Sequence, residues 1–211
     1  MYLNIIKPFF DIFISLILLV TLSPFLFLVA LLLVFLQGGN PFFTQPRPGR
    51  NEKIFRIIKF RSMSNALDTS GKLLPDDQRI TKIGQLIRRS SIDELPQLIN
   101  VLKGEMSFVG PRPLRVRYLP YYTFEERVRH NVKPGITGLA QISGRNAIGW
   151  DNKLKKDIQY VESVGIMVDL EIITKTFKKI FKSSETDFGL TENDNFDDYR
   201  KGAITSKIPN Q

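Results

Sequence analysis

The 25 residues from Ile12 to Leu36 carry no charged side chain, and about 20 such residues already span a bilayer as a helix. This stretch must meet lipid. Ser23-Pro24 interrupts it near the middle. Pro24 removes the donor to the Val20 carbonyl and presses on that group, so a kink or break is expected at this pair, with the Ser23 hydroxyl able to take the freed acceptor. Lys7 flanks one end and Arg47, Arg50 and Lys53 the other, so positive flanks choose no orientation. A spanning helix and a re-entrant helix-break-helix over 1–37 both satisfy this pattern. The run is too long for a cleaved signal, and no small-x-small site follows it.

Past Gly38-Gly39-Asn40-Pro41 the apolar period shortens. Phe42 to Gln45 and Ile54 to Phe60 read as two strands around a turn at Pro46-Arg47-Pro48-Gly49, a small β-hairpin. Alternation along the second strand puts Lys59 and Arg61 on one face. Ser64 to Gln78 has no apolar period and reads as a mobile loop. Thr81 to Arg89 reads as a helix ending in Arg88 and Arg89, cations that its dipole alone would favour. Leu95, Leu98, Ile99 and Leu102 then give a short helix one apolar face, with Gly104 as its stop. Leu170, Ile173, Phe177, Ile180 and Phe181 form the face of a later helix whose other positions include Lys175, Lys178, Lys179 and Lys182, suited to an anionic lipid surface. The fold class this gives is mainly α with a small β-hairpin, an α+β domain over 38–182 behind the membrane element.

Charge sharpens the picture. The net charge is +9 over 211 residues, and the tail from Ser183 to Gln211 holds six acids and three bases, leaving +12 on 1–182. The tail is polar and acidic, with the composition of a disordered segment. The rest suits anionic partners: nucleic acid, phosphorylated small molecules or an anionic membrane. Interleaved aromatics and arginines between Leu114 and Val132 fit a membrane interface or single-stranded nucleic acid. With no cysteine and one histidine, His130, thiolate chemistry and histidine-rich metal sites are excluded. His130 reads as structural. No GxGxxG or Walker lysine occurs.

The candidate chemistry lies between Ser90 and Pro113. Asp93 and Glu94 stand in the first turn of the short helix, where acids favour the dipole and Ser91 with Glu94 spells a capping box. Pro96 weakens that ordinary account. With Ser91 as cap it removes a donor the helix would use, and with Asp93 as cap it removes one of the amides a cap binds. One carboxylate is left under-employed either way. In Gly110-Pro111-Arg112-Pro113 a guanidinium leaves a stiff turn between two prolines of fixed φ. An arginine beside two acids points to phosphate chemistry.

From Lys7 to about Lys182 the chain resembles the bacterial sugar transferases, the monotopic polyprenyl-phosphate phosphoglycosyl transferases. The resemblance rests on ordered blocks: Phe43-Thr44-Gln45-Pro46-Arg47-Pro48-Gly49, Lys59-Phe60-Arg61-Ser62-Met63, Ser91-Ile92-Asp93-Glu94-Leu95-Pro96-Gln97, Gly110-Pro111-Arg112-Pro113, Pro134-Gly135-Ile136-Thr137-Gly138-Leu139-Ala140-Gln141 and Gly144-Arg145-Asn146. Ser62 stands where the family usually has threonine. The multi-helix N-terminal region of larger members is absent, so the chain looks like the minimal catalytic form.

The resemblance implies a re-entrant helix broken at Ser23-Pro24 and a catalytic domain facing the cytoplasm at the bacterial inner membrane, with amphipathic helices at the interface. It implies transfer of a sugar 1-phosphate from a UDP-sugar, N-acetylated as in UDP-N,N'-diacetylbacillosamine, to undecaprenyl phosphate, with UMP released and Mg²⁺ required. Galactose and glucose phosphate transferases share the core. Carried over, Asp93 is the nucleophile that forms a phosphosugar-enzyme, and Glu94 helps hold Mg²⁺ or positions the pair. Arg112, Arg88 and Lys59 are the expected phosphate-binding cations, and Gln141 and Arg145 the expected nucleotide contacts. Membrane lipids and downstream glycosyltransferases are the further partners this implies, and nucleic acid is not among them. A direct ternary-complex transfer and a membrane-tethered nucleic-acid adaptor are the competing readings.

Overall fold

The computed structural model describes residues 1–144, 148–182 and 195–205. The chain forms two compact units: one of Phe10–Gln45 and Arg56–Gly104, the other of Met1–Phe9, Pro46–Phe55 and Glu105–Gln211. The architecture is mainly helical with two small two-stranded sheets among the described residues.

Helix α1 (Lys7–Gln37) carries Pro24 inside it without interruption. The break expected at Ser23-Pro24 is therefore not a loss of helix. Ser23 Oγ donates to the Val20 carbonyl at 2.8 Å and fills the acceptor that Pro24 leaves empty. At about 1.5 Å per residue the 31 residues run about 46 Å, more than the hydrocarbon core of about 30 Å. Phe13, Val20, Phe27, Leu28 and Phe35 are exposed along it, while Val29 and Leu33 are buried. These two pack on Phe60 and Ile87, with Leu26, Ala30, Ile83 and Ile92 around them, so one side of the second half of α1 rests on protein. Gln37 Nε2 donates to the Arg61 carbonyl at 3.2 Å and closes that contact.

Strands β1 (Phe42–Pro48) and β2 (Ile54–Phe60) pair as the expected hairpin, but the turn is not at Pro46–Gly49. Strand β1 continues through Pro48, since the fixed φ of proline is compatible with an edge strand. The chain reverses at 49–53 instead. Gly49 N donates to the Lys53 carbonyl at 2.9 Å, and Asn51 and Glu52 take left-handed φ of 54° and 60°. Residues 64–78 also differ from the mobile loop expected of them. Isolated bridges join Met63 to Ile80 and Leu67 to Leu73, Asp68 Oδ1 accepts from the Ser70 and Lys72 amides at 2.8 and 2.9 Å, and α2 (Asp76–Arg79) follows. Local side-chain to backbone bonds order a stretch that has no apolar period.

Helix α3 (Lys82–Arg89) is capped by Thr81, which accepts from Gly84 N at 3.0 Å. It lies hard against the chain leaving β2: a Cβ on Gly84 would stand 1.9 Å from the Ser62 carbonyl oxygen. A left-handed Ser91 (φ 56°) turns the chain into a 3-10 helix, Ile92–Gln97, and then α4 (Leu98–Leu102).

In the other unit, β3 (Ser107–Val109) pairs in parallel with β4 (Gly135–Thr137), Ser107 opposite Gly135 and Val109 opposite Thr137. Three glycines let their flanks touch. A Cβ on Gly135 would stand 2.1 Å from Gly110 N, and one on Gly138 would stand 2.2 Å from the Gly110 carbonyl oxygen. Helices α5 (Leu139–Ile142), α6 (Trp150–Ser163) and α7 (Ile166–Lys182) follow. Val109, Val132, Tyr160 and Ile172 form the core between them. Asp169 on α7 holds the N-terminal residues, accepting from Lys7 Nζ at 2.5 Å and the Tyr2 hydroxyl at 2.6 Å. Leu170 and Phe177 of the expected apolar face are exposed, as are Ile166 and Met167, whereas Ile173 of that face packs against the core.

The tail is not wholly the disordered segment its composition suggests. Residues 196–205 form α8 (Phe196–Thr205), and Phe196 is fully buried against Tyr118, Tyr122, Trp150 and Leu154. One aromatic anchor outweighs the polar residues around it. The same cluster draws Tyr118 and Tyr122 inward from the stretch read as an interfacial segment, leaving Phe124 exposed.

Gly84→Ala should lower the unfolding midpoint of the detergent-solubilised protein, with a stability loss on the order of 2 kcal/mol or more, because the new methyl meets backbone that has no rotamer to change. An unchanged thermal melt would contradict the contact.

Candidate active site

The serine cap expected before the acid pair does not form. Ser91 makes no side-chain cap bond and its backbone is left-handed, so the capping-box account of Glu94 fails. The reason lies one residue earlier, where Ser90 Oγ bonds back to the Leu86 carbonyl at 2.9 Å and closes α3. The chain must then turn sharply before it can coil again. The 3-10 form also accommodates Pro96 inside Ile92–Gln97. Asp93 is buried, and the Glu94 carboxylate accepts from Lys59 Nζ at 2.6 Å, both side chains being about one-fifth exposed.

The spacing of that pair is set by Asn100, a fully buried residue on α4. Its Oδ1 accepts from Ile58 N at 3.0 Å, and its Nδ2 donates to the Arg56 carbonyl at 2.8 Å. The amide thus treats β2 as a neighbouring strand would. This fixes the acid-bearing turn to the strand that carries Lys59. The sequence offers a faint signal for it, an asparagine in the middle of an apolar helical run, which the reading of the acids passed over. Arg88 is aimed by the same block of chain: its Nε donates to Ser62 Oγ at 2.8 Å, and Nη2 lies 3.2 Å from Met63 Sδ. Ser62 therefore orients a cation. The structure pairs Lys59 with Glu94, and Asp93 and Arg88 belong to the same unit.

Two neighbouring carboxylates are hard oxygen donors of the kind Mg²⁺ takes together with substrate phosphates. Among the described residues no cluster of three or more His, Asp or Glu side chains forms an all-protein metal cage. The donor set fits a cation that keeps most of its ligands from water and substrate.

Arg112 sits in the other unit, where the turn Gly110–Pro113 is held by Gly110 N to the Thr137 carbonyl at 2.9 Å and Gly135 N to the Pro111 carbonyl at 3.0 Å. Arg129 Nη2 donates to the Arg112 carbonyl at 2.7 Å. A small cavity beside the turn is lined by Pro48, Gly49, Arg112, His130 and Pro134, among others. Arg47 belongs to the same cationic cluster: burial first, then Arg112 and Arg115, lower its pKa to about 10. The sequence places Arg47 at a membrane flank, in the hairpin turn and in a matched block, without a role at the site. His130 is buried, edge-on to Tyr122, and its pKa is lowered to about 3 by burial, then by Arg129 and Arg127. It is a neutral core residue, the role expected of it. Gln141 Nε2, on α5, donates to the Ile136 carbonyl of β4 at 2.9 Å, so part of this expected nucleotide contact supports the preceding strand. Arg145 lies outside the described residues.

A family model described as "Bacterial sugar transferase" matches residues 2–183. An uncharacterized sugar transferase, EpsL, of Bacillus subtilis is 50% identical over 180 residues, 85% of this chain and 89% of the relative. An undecaprenyl-phosphate glucose phosphotransferase of Komagataeibacter xylinus is 43% identical over 187 residues, 82% of this chain and 35% of the relative. An undecaprenyl-phosphate galactose phosphotransferase of Salmonella typhimurium is 38% identical over 194 residues, 84% of this chain and 40% of the relative. The chain spans well under half the length of these last two.

Two outcomes are expected of this geometry. Asn100→Ala strands a backbone donor and acceptor of β2, at about 1–3 kcal/mol for each buried group, and hydrogen exchange at the Ile58 amide should rise sharply; unchanged protection there would contradict the clip. Because His130 is held neutral in the fold while an unfolded histidine takes up a proton below about 6.5, its contribution to stability is lost as pH falls from 6.5 toward 3. The unfolding midpoint of the wild type should therefore drop more steeply between about pH 7 and pH 5 than that of His130→Phe, and identical slopes would contradict it.

Proposed function

The chain belongs to the bacterial sugar transferase family and is a phosphoglycosyl transferase; from that premise we propose that it moves a sugar 1-phosphate from a UDP-sugar to undecaprenyl phosphate through a covalent phosphosugar on Asp93. The observation that carries this reading is a buried Asp93 next in sequence to a Glu94 tied to Lys59, in a turn whose Ser91 makes no side-chain cap bond. An Asp93 carboxylate oxygen attacks the β-phosphorus of the donor. The bond from that phosphorus to the bridging oxygen breaks, and UMP leaves with the electron pair. An oxygen of the acceptor phosphate then attacks the same phosphorus, forming the polyprenyl diphosphate-sugar and releasing the Asp93 carboxylate.

Each step brings anion against anion, so cations are needed around the reacting phosphorus. Lys59 holds Glu94 in place, and Arg88, aimed by Ser62, binds a phosphate oxygen. Arg112 is a proposed phosphate contact, and Gln141 and Arg145 are proposed nucleotide contacts. Asp93 and Glu94 would hold Mg²⁺, which supplies charge neutralisation when bound.

The acceptor's hydrocarbon tail stays in the bilayer, so the site works at headgroup height on the cytoplasmic face of the inner membrane. Helix α1, too long for the hydrocarbon core and bearing Ser23-Pro24, enters and returns as a bent re-entrant element. The exposed apolar side of α7 and its lysines suit contact with an anionic lipid surface. The resemblance favours an N-acetylated donor, whereas the names of two relatives carry glucose and galactose.

UMP release by the solubilised full chain with undecaprenyl phosphate should therefore be measured across UDP-sugars of all three kinds. Wild-type turnover should fall at least about a thousandfold in Asp93→Asn, in line with loss of a nucleophile. Turnover should also stop on chelation with EDTA and return with added Mg²⁺. Undiminished turnover in Asp93→Asn would sink the covalent route.

A further inference from the structure

Helix α8 lies beyond residues 2–183, the part of the chain the family model matches. Yet it is built into the unit that carries Arg112. Phe196 stacks on Tyr122 with ring centroids 5.2 Å apart and an interplanar angle of 29°. It also meets Trp150 at 5.2 Å and Tyr118 at 5.5 Å. The Tyr122 hydroxyl accepts from Arg129 Nη1 at 3.2 Å, and Arg129 Nη2 donates in turn to the Arg112 carbonyl. A continuous line of contacts therefore runs from α8 through Phe196, Tyr122 and Arg129 to the stiff turn of Gly110–Pro113.

A second set of contacts reaches neighbouring cations. Asn195 Oδ1 accepts from Arg115 Nη1 at 3.4 Å, and Asp197 pairs with Arg117 at 3.4 Å. Arg115 is one of the two arginines whose charge bears on Arg47. The far side of α8 is fastened independently, Tyr199 donating to Asp151 Oδ2 at 2.8 Å and Arg200 bonding to Glu126. Arg129 has a further buried partner outside α8, since Asp157 Oδ2 accepts from its Nε at 3.0 Å and its Nη2 at 2.7 Å. Burial pulls the Arg129 pKa down, but Tyr122 and Asp157 outweigh it, so the guanidinium stays charged. Removing Phe196 should then loosen the aim of Arg129 without unfolding the core around it.

We infer that α8 is a positioning element for Arg112, acting through Phe196, Tyr122 and Arg129 to hold the guanidinium for an anionic phosphate of the substrate. This rests on the reading of Arg112 as a phosphate contact. A contact used alike in ground and transition states appears in KM rather than kcat. Phe196→Ala in the full chain should raise the KM for the UDP-sugar about tenfold with kcat within about threefold of wild type. Phe196→Met, which refills the cavity, should recover most of that loss. Tyr122→Phe, which keeps the ring and removes the acceptor, should raise KM similarly, and the double variant should be no worse than the poorer single one, because both act along one line.

Hydrogen exchange over residues 108–116, measured in the same variants without substrate, should speed up in Phe196→Ala and Tyr122→Phe and return toward wild type in Phe196→Met. This readout needs no turnover, so it decides the coupling even if no UDP-sugar is a substrate. Unchanged exchange over 108–116 in Phe196→Ala would overturn the inference. So would a parallel loss of kcat and thermal midpoint with KM unmoved, since that is the mark of a merely structural helix.

Discussion

A two-stranded hairpin leaves each strand with an unpaired edge, and such an edge positions nothing unless something occupies it. On β2 the occupant is the side-chain amide of Asn100, which gives one donor and takes one acceptor between Arg56 and Ile58. The bidentate contact fixes both the distance and the register of α4 against the strand. From that register the rest follows: Lys59, one residue past Ile58, meets Glu94 at the start of the turn that leads into α4. Gly84 completes the arrangement by letting α3 lie against Ser62, whose hydroxyl then aims Arg88.

Electrostatics explains why so much backbone is committed to so few side chains. A buried aspartate beside a glutamate is an unfavourable pair in a low-dielectric setting, and Lys59 offsets the charge of the outer member while Asp93 stays enclosed. On the proposed route, an enclosed acid would meet the phosphoryl group with little reorganisation. In the other unit the same economy is reached with glycines. Gly110, Gly135 and Gly138 bring two turns into backbone contact, so the turn that carries Arg112 lies directly against the chain flanking β4.

Much of this was legible in the residues, and the failures have identifiable physical causes. The apolar run of α1, the hairpin, the acid-bearing turn and the lysine-rich α7 follow from periodicity and turn chemistry, and the matched blocks gave the family. The hairpin turn was misplaced because Pro46 and Pro48 are compatible with an extended edge as well as with a reversal. The left-handed Ser91 could not be anticipated from a serine that spells a capping box equally well. The parallel pair β3–β4 joins segments separated by more than twenty residues, which hold two short 3-10 helices and no local signal that marks a partner. Helix α8 escaped because its composition is that of a disordered tail, and one buried ring, Phe196, reverses the balance. Asn100 was hidden by its apolar neighbours.

The account turns on whether the chain can cleave its donor before the acceptor arrives. Incubating the solubilised protein with a UDP-sugar it turns over, Mg²⁺ and isotopically labelled UMP, in the complete absence of polyprenyl phosphate, tests that directly. A covalent intermediate on Asp93 predicts that label passes from UMP into the UDP-sugar, and that Asp93→Asn abolishes this exchange. Exchange that appears only when polyprenyl phosphate is added would contradict the account and require both substrates to be bound together.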